Sequence, residues 1–415
     1  MKSSVANREI FDDDDGASPS EVLAQPREPV RAIVLAGGGT AGHVNPLLAV
    51  ADEIRRRNPD AKILVLGTVS GLEAELVPAR GYELWPIPKV PLPRRASLDL
   101  FRLPGRLRRA VSSARAAIES VDAQVVIGFG GYVSTPLYLA ARRTKVPLVV
   151  QEQNARPGLA NRLGMRWARA VAFTFPVAGM RRSSAAHAAA HLVIEGSKAE
   201  VVGLPLRREI VDLARERAVD SRAARERAAA RLGLDPVLPT LLVSGGSSGA
   251  ASLNAATVAA APGLVGAGVQ VLHLTGKGKA ADAEQAAASL PNYHVREYLA
   301  AMELALASAD LVLTRAGAGM VCELAALGLP AIYVPLPIGN GEQARNVAQL
   351  IQAGGGIEVR DQALSAELLL DIVPPLLTDP ERLKAMAKAA ESVGILDAAS
   401  RIVDLLEEAA EPVAP

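Results

Sequence analysis

The sequence is poor in cysteine and aromatic residues and has no long uncharged apolar run. Its 415 residues contain one cysteine, Cys322, so no internal disulfide can form, and a secreted, disulfide-stapled protein is not expected. Aromatic residues make up 3% of the chain, which leaves few stacking surfaces for single-stranded nucleic acid. Every apolar stretch is interrupted by charged or turn-forming residues before it reaches about 18 residues, so we predict no transmembrane segment. These absences favour a protein of a reducing compartment that binds no nucleic acid.

Charge is distributed unevenly along the chain. Residues 1–29 include the acidic cluster Asp12–Asp15 and show no apolar periodicity, so we expect a disordered acidic N-terminal extension rather than a signal peptide. Residues 31–200 hold 24 basic and 12 acidic side chains, a net charge of +12, whereas residues 201–415 hold 18 and 25, a net charge of −7. A basic half suits a phosphorylated substrate or an anionic membrane surface, and composition alone does not choose between them.

Length and hydrophobic pattern predict two domains. A chain of 415 residues exceeds what one hydrophobic core usually serves. Apolar runs of strand length alternate with Ala- and Arg-rich helical stretches, which predicts parallel sheets with crossover helices. The first series of strands covers 32–36, 62–66, 124–127, 147–150 and 171–173, and the second covers 240–243, 269–274, 311–313 and 331–334. We therefore predict two Rossmann-like, doubly wound α/β domains, 30–203 and 204–415. A long helix is predicted at about 210–232. The last helix of the chain is a candidate to pack back on the first domain.

Each series opens with a strand that runs into a glycine-rich turn. The turns read AGGGTAGH at 36–43 and SGGSSGA at 244–250, and amides exposed at a helix N-terminus bind anions. The first turn matches the dinucleotide pattern G-x-G-x-x-G. The acid expected after the second strand is missing, however, because Leu64–Thr68 contains none, so an NAD-dependent oxidoreductase is poorly supported. A binding site for a phosphate group of another kind of ligand is the better interpretation of this turn.

Further polar or glycine-rich segments follow other predicted strands, where open α/β sheets bind their ligands. They are the glycine turn at 127–136, Gln151–Asn154, TGKG at 275–278, and TRAGAG at 314–319. The last leads into a helix that carries Glu323, and a carboxylate in the first turns of such a helix suits the two hydroxyls of a ribose. The pattern indicates a nucleotide-bearing ligand in the second domain.

In this order, the glycine loops, the Gln-Glu-Gln-Asn segment, RAGAGMVCELAALGLPAIYVPLP and GNGEQARNVAQL resemble the MurG family over residues 30–405. Its members are UDP-N-acetylglucosamine:N-acetylmuramyl-(pentapeptide)-pyrophosphoryl-undecaprenol N-acetylglucosamine transferases. The resemblance implies a GT-B fold with two domains facing across a cleft. It also implies inverting transfer of GlcNAc from UDP-GlcNAc to the C4 hydroxyl of the muramyl sugar of lipid I, which gives lipid II for peptidoglycan.

The resemblance also assigns site residues. Those implied for UDP-GlcNAc are Thr40, Ala41, Gly42, Asn154, Arg207, Ser247, Leu299, Ala318, Gly319, Met320, Val321, Cys322, Glu323 and Gln343. Those implied for the acceptor diphosphate are Gly38, Gly39, Gly130, Gly131 and Tyr132. The chain departs from the family pattern at three positions. The family usually has glycine, asparagine and glutamine where this chain has Ala41, Leu204 and Ser248, respectively. All three positions belong to the proposed ligand contacts or adjoin them.

The chemistry calls for a base and for stabilisation of the departing UDP. His43 is the first candidate for the base, and Glu152 is its rival. No Asp-x-Asp motif stands at a predicted strand end, and helix N-terminal amides can stabilise a leaving diphosphate. We therefore predict activity without a metal or a cofactor. The other histidines, His187, His191, His273 and His294, are expected to be structural or exposed.

The basic and apolar segment 90–109 is predicted to rest on the anionic inner leaflet of the cell membrane. This gives a peripheral protein on the cytoplasmic face, with cell-wall synthesis and division proteins as candidate partners. Two alternatives stay open. One is another GT-B UDP-sugar enzyme, with a different acceptor or as a UDP-GlcNAc 2-epimerase, and the other is a non-catalytic nucleotide-binding protein.

Overall fold

Two sheets form within the residues that the structure describes, and the first contains seven parallel strands. The computed structural model describes residues 27–90, 99–176, 197–246, 248–338 and 341–412, so residues 1–26 of the predicted extension lie outside it. The strand order is β3-β2-β1-β4-β5-β6-β7. The strands are β1 Ala32–Ala36, β2 Lys62–Gly67, β3 Glu83–Pro86, β4 Val125–Gly128, β5 Leu148–Glu152, β6 Ala170–Phe173 and β7 Lys198–Val201.

The second sheet contains six parallel strands in the order β10-β9-β8-β11-β12-β13. They are β8 Thr240–Ser244, β9 Gln270–Leu274, β10 Tyr293–Arg296, β11 Leu311–Thr314, β12 Ala331–Tyr333 and β13 Gly356–Glu358. The central strands of both sheets are buried along nearly their whole length, because helices cover both faces of a parallel sheet. The predicted fold class, two doubly wound α/β domains, is confirmed.

The helices are numbered along the described chain. Those of the first domain are α1 Ala41–Arg57, α2 Glu73–Ala79, α3 Asp99–Val121, α4 Ser134–Thr144 and α5 Leu159–Gly164. The others are α6 Arg208–Leu232, α7 Ala251–Gly266, α8 Ala281–Ala287, α9 Met302–Ser308, α10 Ala318–Ala326, α11 Glu342–Ala353, α12 Ala366–Leu377, α13 Pro380–Glu391 and α14 Ala398–Ala410. Within the described chain, no helix is both long enough and apolar enough to cross a bilayer.

The last helix, α14, packs on the first domain rather than on the second. Its buried residues Ile402 and Leu406 join the core formed by β1, β4 and α1, and α14 contacts α1 directly. Arg57 at the end of α1 reinforces this packing, because its Nη1 lies 2.7 Å from Asp404 and 2.9 Å from Glu407. The chain therefore passes between the domains twice, once after β7 and again before α14.

Each sheet has a point where the strand order reverses. In the first sheet it lies between β1 and β4, and in the second it lies between β8 and β11. Ligands of open α/β sheets bind outside the carboxyl ends of the strands at such a point. The glycine turns after β1, β4 and β8 and the turn after β11 therefore all lie at the two reversal points.

Candidate functional site

A cavity of about 760 Å³ separates the two reversal points and is lined by both domains. The first domain contributes the start of α1, and the second contributes the loops after β8, β10 and β11 together with the start of α10. Nine predicted donor residues line it, namely Thr40, Ala41, Gly42, Arg207, Leu299, Gly319, Met320, Glu323 and Gln343. Leu204 and Ser248, two of the departures from the family pattern, line it as well.

His43 stands in the first turn of α1, next to the residues that line the cavity. Thr40 precedes the helix, and its hydroxyl lies 3.1 Å from His43 Nδ1 instead of capping the helix. Burial lowers the pKa of His43, against the opposing effects of a hydrogen bond to the Gly38 backbone and of the nearby Glu73 charge.

The glycine turn after β4 packs against this histidine. Gly130 has a φ of +94°, and a Cβ there would lie 3.3 Å from His43 Nε2. Gly131 has a φ of +77°, and its Cβ would lie 2.8 Å from the Gly38 carbonyl oxygen. Both positions favour glycine for backbone reasons, and the lack of side chains brings this turn against the first glycine loop. Tyr132 completes it, with its ring edge 3.2 Å from a Cβ placed on Gly39.

Glu73, which the sequence analysis missed, lies beneath the first glycine loop. Its side chain is fully buried, and its Oε2 accepts a hydrogen bond from the Gly39 amide at 3.1 Å. The Gly39 amide therefore already has an acceptor within the protein, and contact of Gly39 with the acceptor diphosphate stays a prediction. The available signal in the sequence was the position of Glu73 just after two glycines, Gly67 and Gly71, in the segment that follows β2.

Glu152, the rival base, is buried at the end of β5 with both oxygens engaged. Its Oε1 accepts from the Asn154 amide at 2.9 Å, and its Oε2 accepts from the Gly158 amide at 3.0 Å and from Asn161 Nδ2 at 2.9 Å. Burial raises the pKa of Glu152 to about 7, against the effect of these three donors. The carboxyl group holds the loop between β5 and α5 in shape.

Arg207 and Glu323 form an ion pair on the wall of the cavity. Arg207 Nε and Nη2 donate to Glu323 Oε1 at 3.1 and 3.0 Å, and Nη2 also lies 3.2 Å from Oε2. Burial raises the pKa of Glu323, although the Arg207 charge opposes this. The carboxylate predicted to hold ribose hydroxyls is thus held in place by the arginine that the resemblance placed in the same site.

The second glycine loop is tied to its neighbours by backbone and side-chain contacts. Ser247 lies outside the described residues, but the Ser248 carbonyl accepts a hydrogen bond from Lys279 Nζ at 2.6 Å. Behind the loop, Arg315 Nη2 donates to Ser252 Oγ at 2.8 Å and Nη1 lies 2.6 Å from Asp361. Arg315, which belongs to the TRAGAG segment at 314–319, therefore links the loop after β11 to the start of α7.

The remaining predicted donor residues have other surroundings. Asn154 Oδ1 accepts a hydrogen bond across the domains from Asn346 Nδ2 at 3.2 Å. Val321 and Cys322 lie on the opposite face of α10, where they line a second interdomain cavity of about 610 Å³. Ala318 is buried. Gln343 lines the donor cavity while its Oε1 accepts from the Leu336 amide at 2.9 Å.

Of the side chains that the structure describes, no three or more His, Cys, Asp or Glu residues form a group that could hold a metal ion.

Comparison with known proteins agrees with this architecture. The N-terminal domain model of glycosyltransferase family 28 matches residues 33–173, and the C-terminal domain model matches residues 240–402. The chain is 52% identical over 379 residues to a UDP-N-acetylglucosamine--N-acetylmuramyl-(pentapeptide) pyrophosphoryl-undecaprenol N-acetylglucosamine transferase of Paenarthrobacter aurescens, covering 91% of this chain and 96% of that protein. A protein of the same name from Streptomyces coelicolor is 48% identical, with 91% and 98% covered.

Among solved structures, MurG of Acinetobacter baumannii aligns with a TM-score of 0.70 and 26% identity, covering 91% of this chain and 99% of that one. A UDP-GlcNAc 2-epimerase of Neisseria meningitidis aligns with a TM-score of 0.65 and 13% identity, covering 91% and 99%. The second likeness concerns the fold alone.

Proposed function

We propose that this chain, which belongs to the MurG family within glycosyltransferase family 28, transfers GlcNAc from UDP-GlcNAc to the muramyl C4 hydroxyl of lipid I. The product is lipid II, and the anomeric carbon is inverted. The observation that carries the proposal is the interdomain cavity, in which Thr40–Gly42 of the first domain and Glu323 of the second line one space. A transferase needs both substrates in one such space, because holding them together supplies much of the rate.

The donor lies in the second-domain half of this cavity. Leu299 and Met320 give it apolar surface, Gln343 gives it an amide, and Glu323 offers a carboxylate to the ribose hydroxyls. Residues at the start of α10 and in the glycine loop before α7 line the same space, and helix N-termini favour a diphosphate. The backbone amides of these residues stabilise the charge that builds up on UDP as it leaves, so we propose that the reaction needs no metal.

His43 acts as the base. In the reaction, the neutral imidazole takes the proton of the acceptor C4 hydroxyl while the hydroxyl oxygen bonds to the anomeric carbon. The bond from that carbon to the UDP oxygen breaks, and UDP leaves with the electron pair. His43 suits this role better than Glu152, because it stands in the first turn of α1 among residues that line the cavity, whereas both Glu152 oxygens are occupied by loop donors.

The acceptor reaches the site from the anionic leaflet on the cytoplasmic face of the cell membrane, where the protein docks peripherally. Residues 91–98 of the predicted docking segment lie outside the described residues. Supporting this proposal, the exposed Arg108 and Arg109 stand on α3, and the exposed Arg143 stands on α4, which packs against α3. Proteins of cell-wall synthesis and division are proposed to contact the enzyme there.

The test uses purified protein, UDP-GlcNAc radiolabelled in the sugar, and a short-chain lipid I analogue, with and without EDTA. We expect a labelled disaccharide product at equal rates in both samples, and a large loss in His43→Ala and Glu323→Ala. Absence of the disaccharide with folded protein would overturn the proposed reaction. A product that EDTA abolishes and Mg²⁺ restores would overturn metal independence alone.

A further inference from the structure

We infer that Glu73 is a positioning residue for the transfer: its buried carboxylate fixes the first glycine loop and supplies the negative charge that stabilises His43 when it takes the acceptor proton. This inference rests on the proposed role of His43. Glu73 is the first residue of α2, 30 positions from His43 in the sequence, and the two meet only through the fold of the glycine loop.

The contacts of Glu73 show a carboxylate built into the loop. Its Oε1 accepts from the Thr68 amide at 3.0 Å and from the Thr68 hydroxyl at 2.8 Å. Its Oε2 accepts from the Gly39 amide at 3.1 Å, the residue just before Thr40. Because Thr40 in turn lies against His43 Nδ1, one chain of contacts leads from the carboxylate to the proposed base.

Glycines surround this carboxylate where any side chain would collide with it. A Cβ on Gly38 would lie 2.8 Å from Glu73 Oε1, and a Cβ on Gly67 would lie 2.6 Å from Glu73 Cγ. A Cβ on Gly71 would also collide with the carboxylate oxygens. The sequence AGGG is therefore explained in part by Glu73, because the loop must close over a protein carboxylate as well as face the acceptor.

The carboxylate stays charged despite its burial. Burial raises the pKa of Glu73, but hydrogen bonds from its own amide, from Thr68 and from Gly39 outweigh this and lower it. A buried anion costs free energy unless donors compensate it, and here four donors do, namely the amides of Glu73, Thr68 and Gly39 and the Thr68 hydroxyl. The charge in turn raises the pKa of His43, so it favours the imidazolium that forms during the transfer.

Other charged or titratable groups face His43 less directly. Tyr132, on the turn after β4, packs against Gly39, and Lys89 Nζ lies 5.8 Å from its ring centre. Glu152 is separated from the histidine by Asn161, which borders Gly130. Of these groups, Glu73 is the one whose charge acts on His43.

The experiment separates charge from shape with two variants. Glu73→Gln keeps the volume and removes the charge, whereas Glu73→Asp keeps the charge and shortens the side chain. Glu75→Gln, an exposed neighbour on α2, is the control. For each protein we would titrate His43 by NMR with labelled histidine, assigning its signal by comparison with His43→Ala, and measure kcat and KM for both substrates against pH.

For Glu73→Gln we expect a lower His43 pKa and a kcat reduced about tenfold to a hundredfold, with KM for UDP-GlcNAc unchanged. Glu73→Asp should lie between Glu73→Gln and the parent protein in both measurements, and Glu75→Gln should match the parent. An unmoved His43 pKa in a folded Glu73→Gln overturns the inference, whatever its activity. If Glu73→Gln does not fold, an unmoved His43 pKa in Glu73→Asp overturns it instead. Loss of product in the parent protein would count against the proposed function, since the titration requires no turnover.

Discussion

Arg207 donates hydrogen bonds from two nitrogens, Nε and Nη2, to the Glu323 carboxylate on the wall of the donor cavity. Arg207 follows the crossing between the domains, and Glu323 lies inside α10, so the pair joins the crossing to the nucleotide side of the cavity. We expect Arg207→Ala to lower the free energy of unfolding by about 1–3 kcal/mol, because it leaves a largely buried carboxylate without its charge partner. It should also raise KM for UDP-GlcNAc about tenfold or more, because Glu323 loses its orientation.

Urea denaturation and UDP-GlcNAc titration check these two effects. In the double variant Arg207→Ala/Glu323→Gln, the unpaired charge is gone, so we expect much of the lost stability to return while donor affinity stays low. The exposed pair of Arg222 and Glu226 provides the control, since Arg222→Ala should change stability by less than about 0.5 kcal/mol. Additive effects of the two changes in the double variant would argue against the pairing.

His43 and Glu152 should respond to substitution in opposite ways. We expect His43→Ala to lower kcat by about 10²–10⁴ with unchanged donor affinity, because it removes the base and none of the proposed donor contacts. We expect Glu152→Ala to lower the free energy of unfolding by about 1–3 kcal/mol, because three donors lose their acceptor. Steady-state kinetics and urea denaturation on both variants decide between them, and the reverse pattern would make Glu152 the base.

The pH profile offers an independent check on His43. Burial lowers the pKa of His43, and a base must be neutral to accept a proton. The rate should therefore fall on the acid side only as the pH drops below the ordinary histidine value of 6.5. A kcat/KM profile with an acid limb above that value, in the parent protein, would be inconsistent with a buried neutral histidine as the base.

The central strands could be predicted from sequence because burial on both faces demands a continuous apolar run. The run at 32–36 predicted β1 with its observed bounds, Ala32–Ala36. The strands that were missed, such as Glu83–Pro86 and Gly356–Glu358, are short and partly exposed at sheet edges. An edge strand is stabilised by its neighbour's hydrogen bonds more than by its own side chains, so its sequence carries little signal.

The residues of the candidate site also fall into those that the sequence could predict and those that it could not. Residues that follow predicted strands could be placed at the cavity, because the carboxyl ends of parallel strands meet at one edge. Glu73 and Asn346 could not, because each works through a contact with a distant backbone group. Gly39 and Glu73 are 34 positions apart, and Ala155 and Asn346 are 191 apart. The sequence pattern does not indicate which distant residues form such pairs, because neither residue is distinctive within its own segment.

The basic surface of α3 and α4 predicts salt-sensitive membrane binding. Each arginine near an anionic leaflet contributes about 1 kcal/mol, so reversing Arg108, Arg109 and Arg143 to Glu should weaken vesicle binding by a hundredfold or more. Co-sedimentation with vesicles of phosphatidylglycerol and phosphatidylethanolamine measures this, with KCl raised stepwise. The control reverses Arg222 and Arg227 on α6 and should bind as the parent does. Equal binding by both triple and control variants would remove the membrane proposal.

A buried histidine behind the second glycine loop should make stability depend on pH. His273 Nε2 lies 3.1 Å from Asn254 Oδ1, and Asn254 Nδ2 donates to the Thr275 carbonyl at 2.9 Å. The histidine therefore donates from Nε2, and Nδ1 accepts from the Tyr293 hydroxyl at 2.7 Å. This arrangement requires a neutral ring, and burial lowers the pKa of His273 to about 4.

Because the folded pKa of His273 lies below its unfolded value of 6.5, its contribution to stability is present above pH 6.5 and is lost as the pH falls towards 4. The full difference corresponds to roughly 3 kcal/mol. His273→Phe should be less stable than the parent at pH 7, through the loss of two hydrogen bonds, yet lose less stability on acidification. Tyr293→Phe keeps the histidine buried and should keep the steep dependence. Urea denaturation between pH 7.5 and 4.5 measures all three proteins, and parallel curves for the parent and His273→Phe would show that another group titrates.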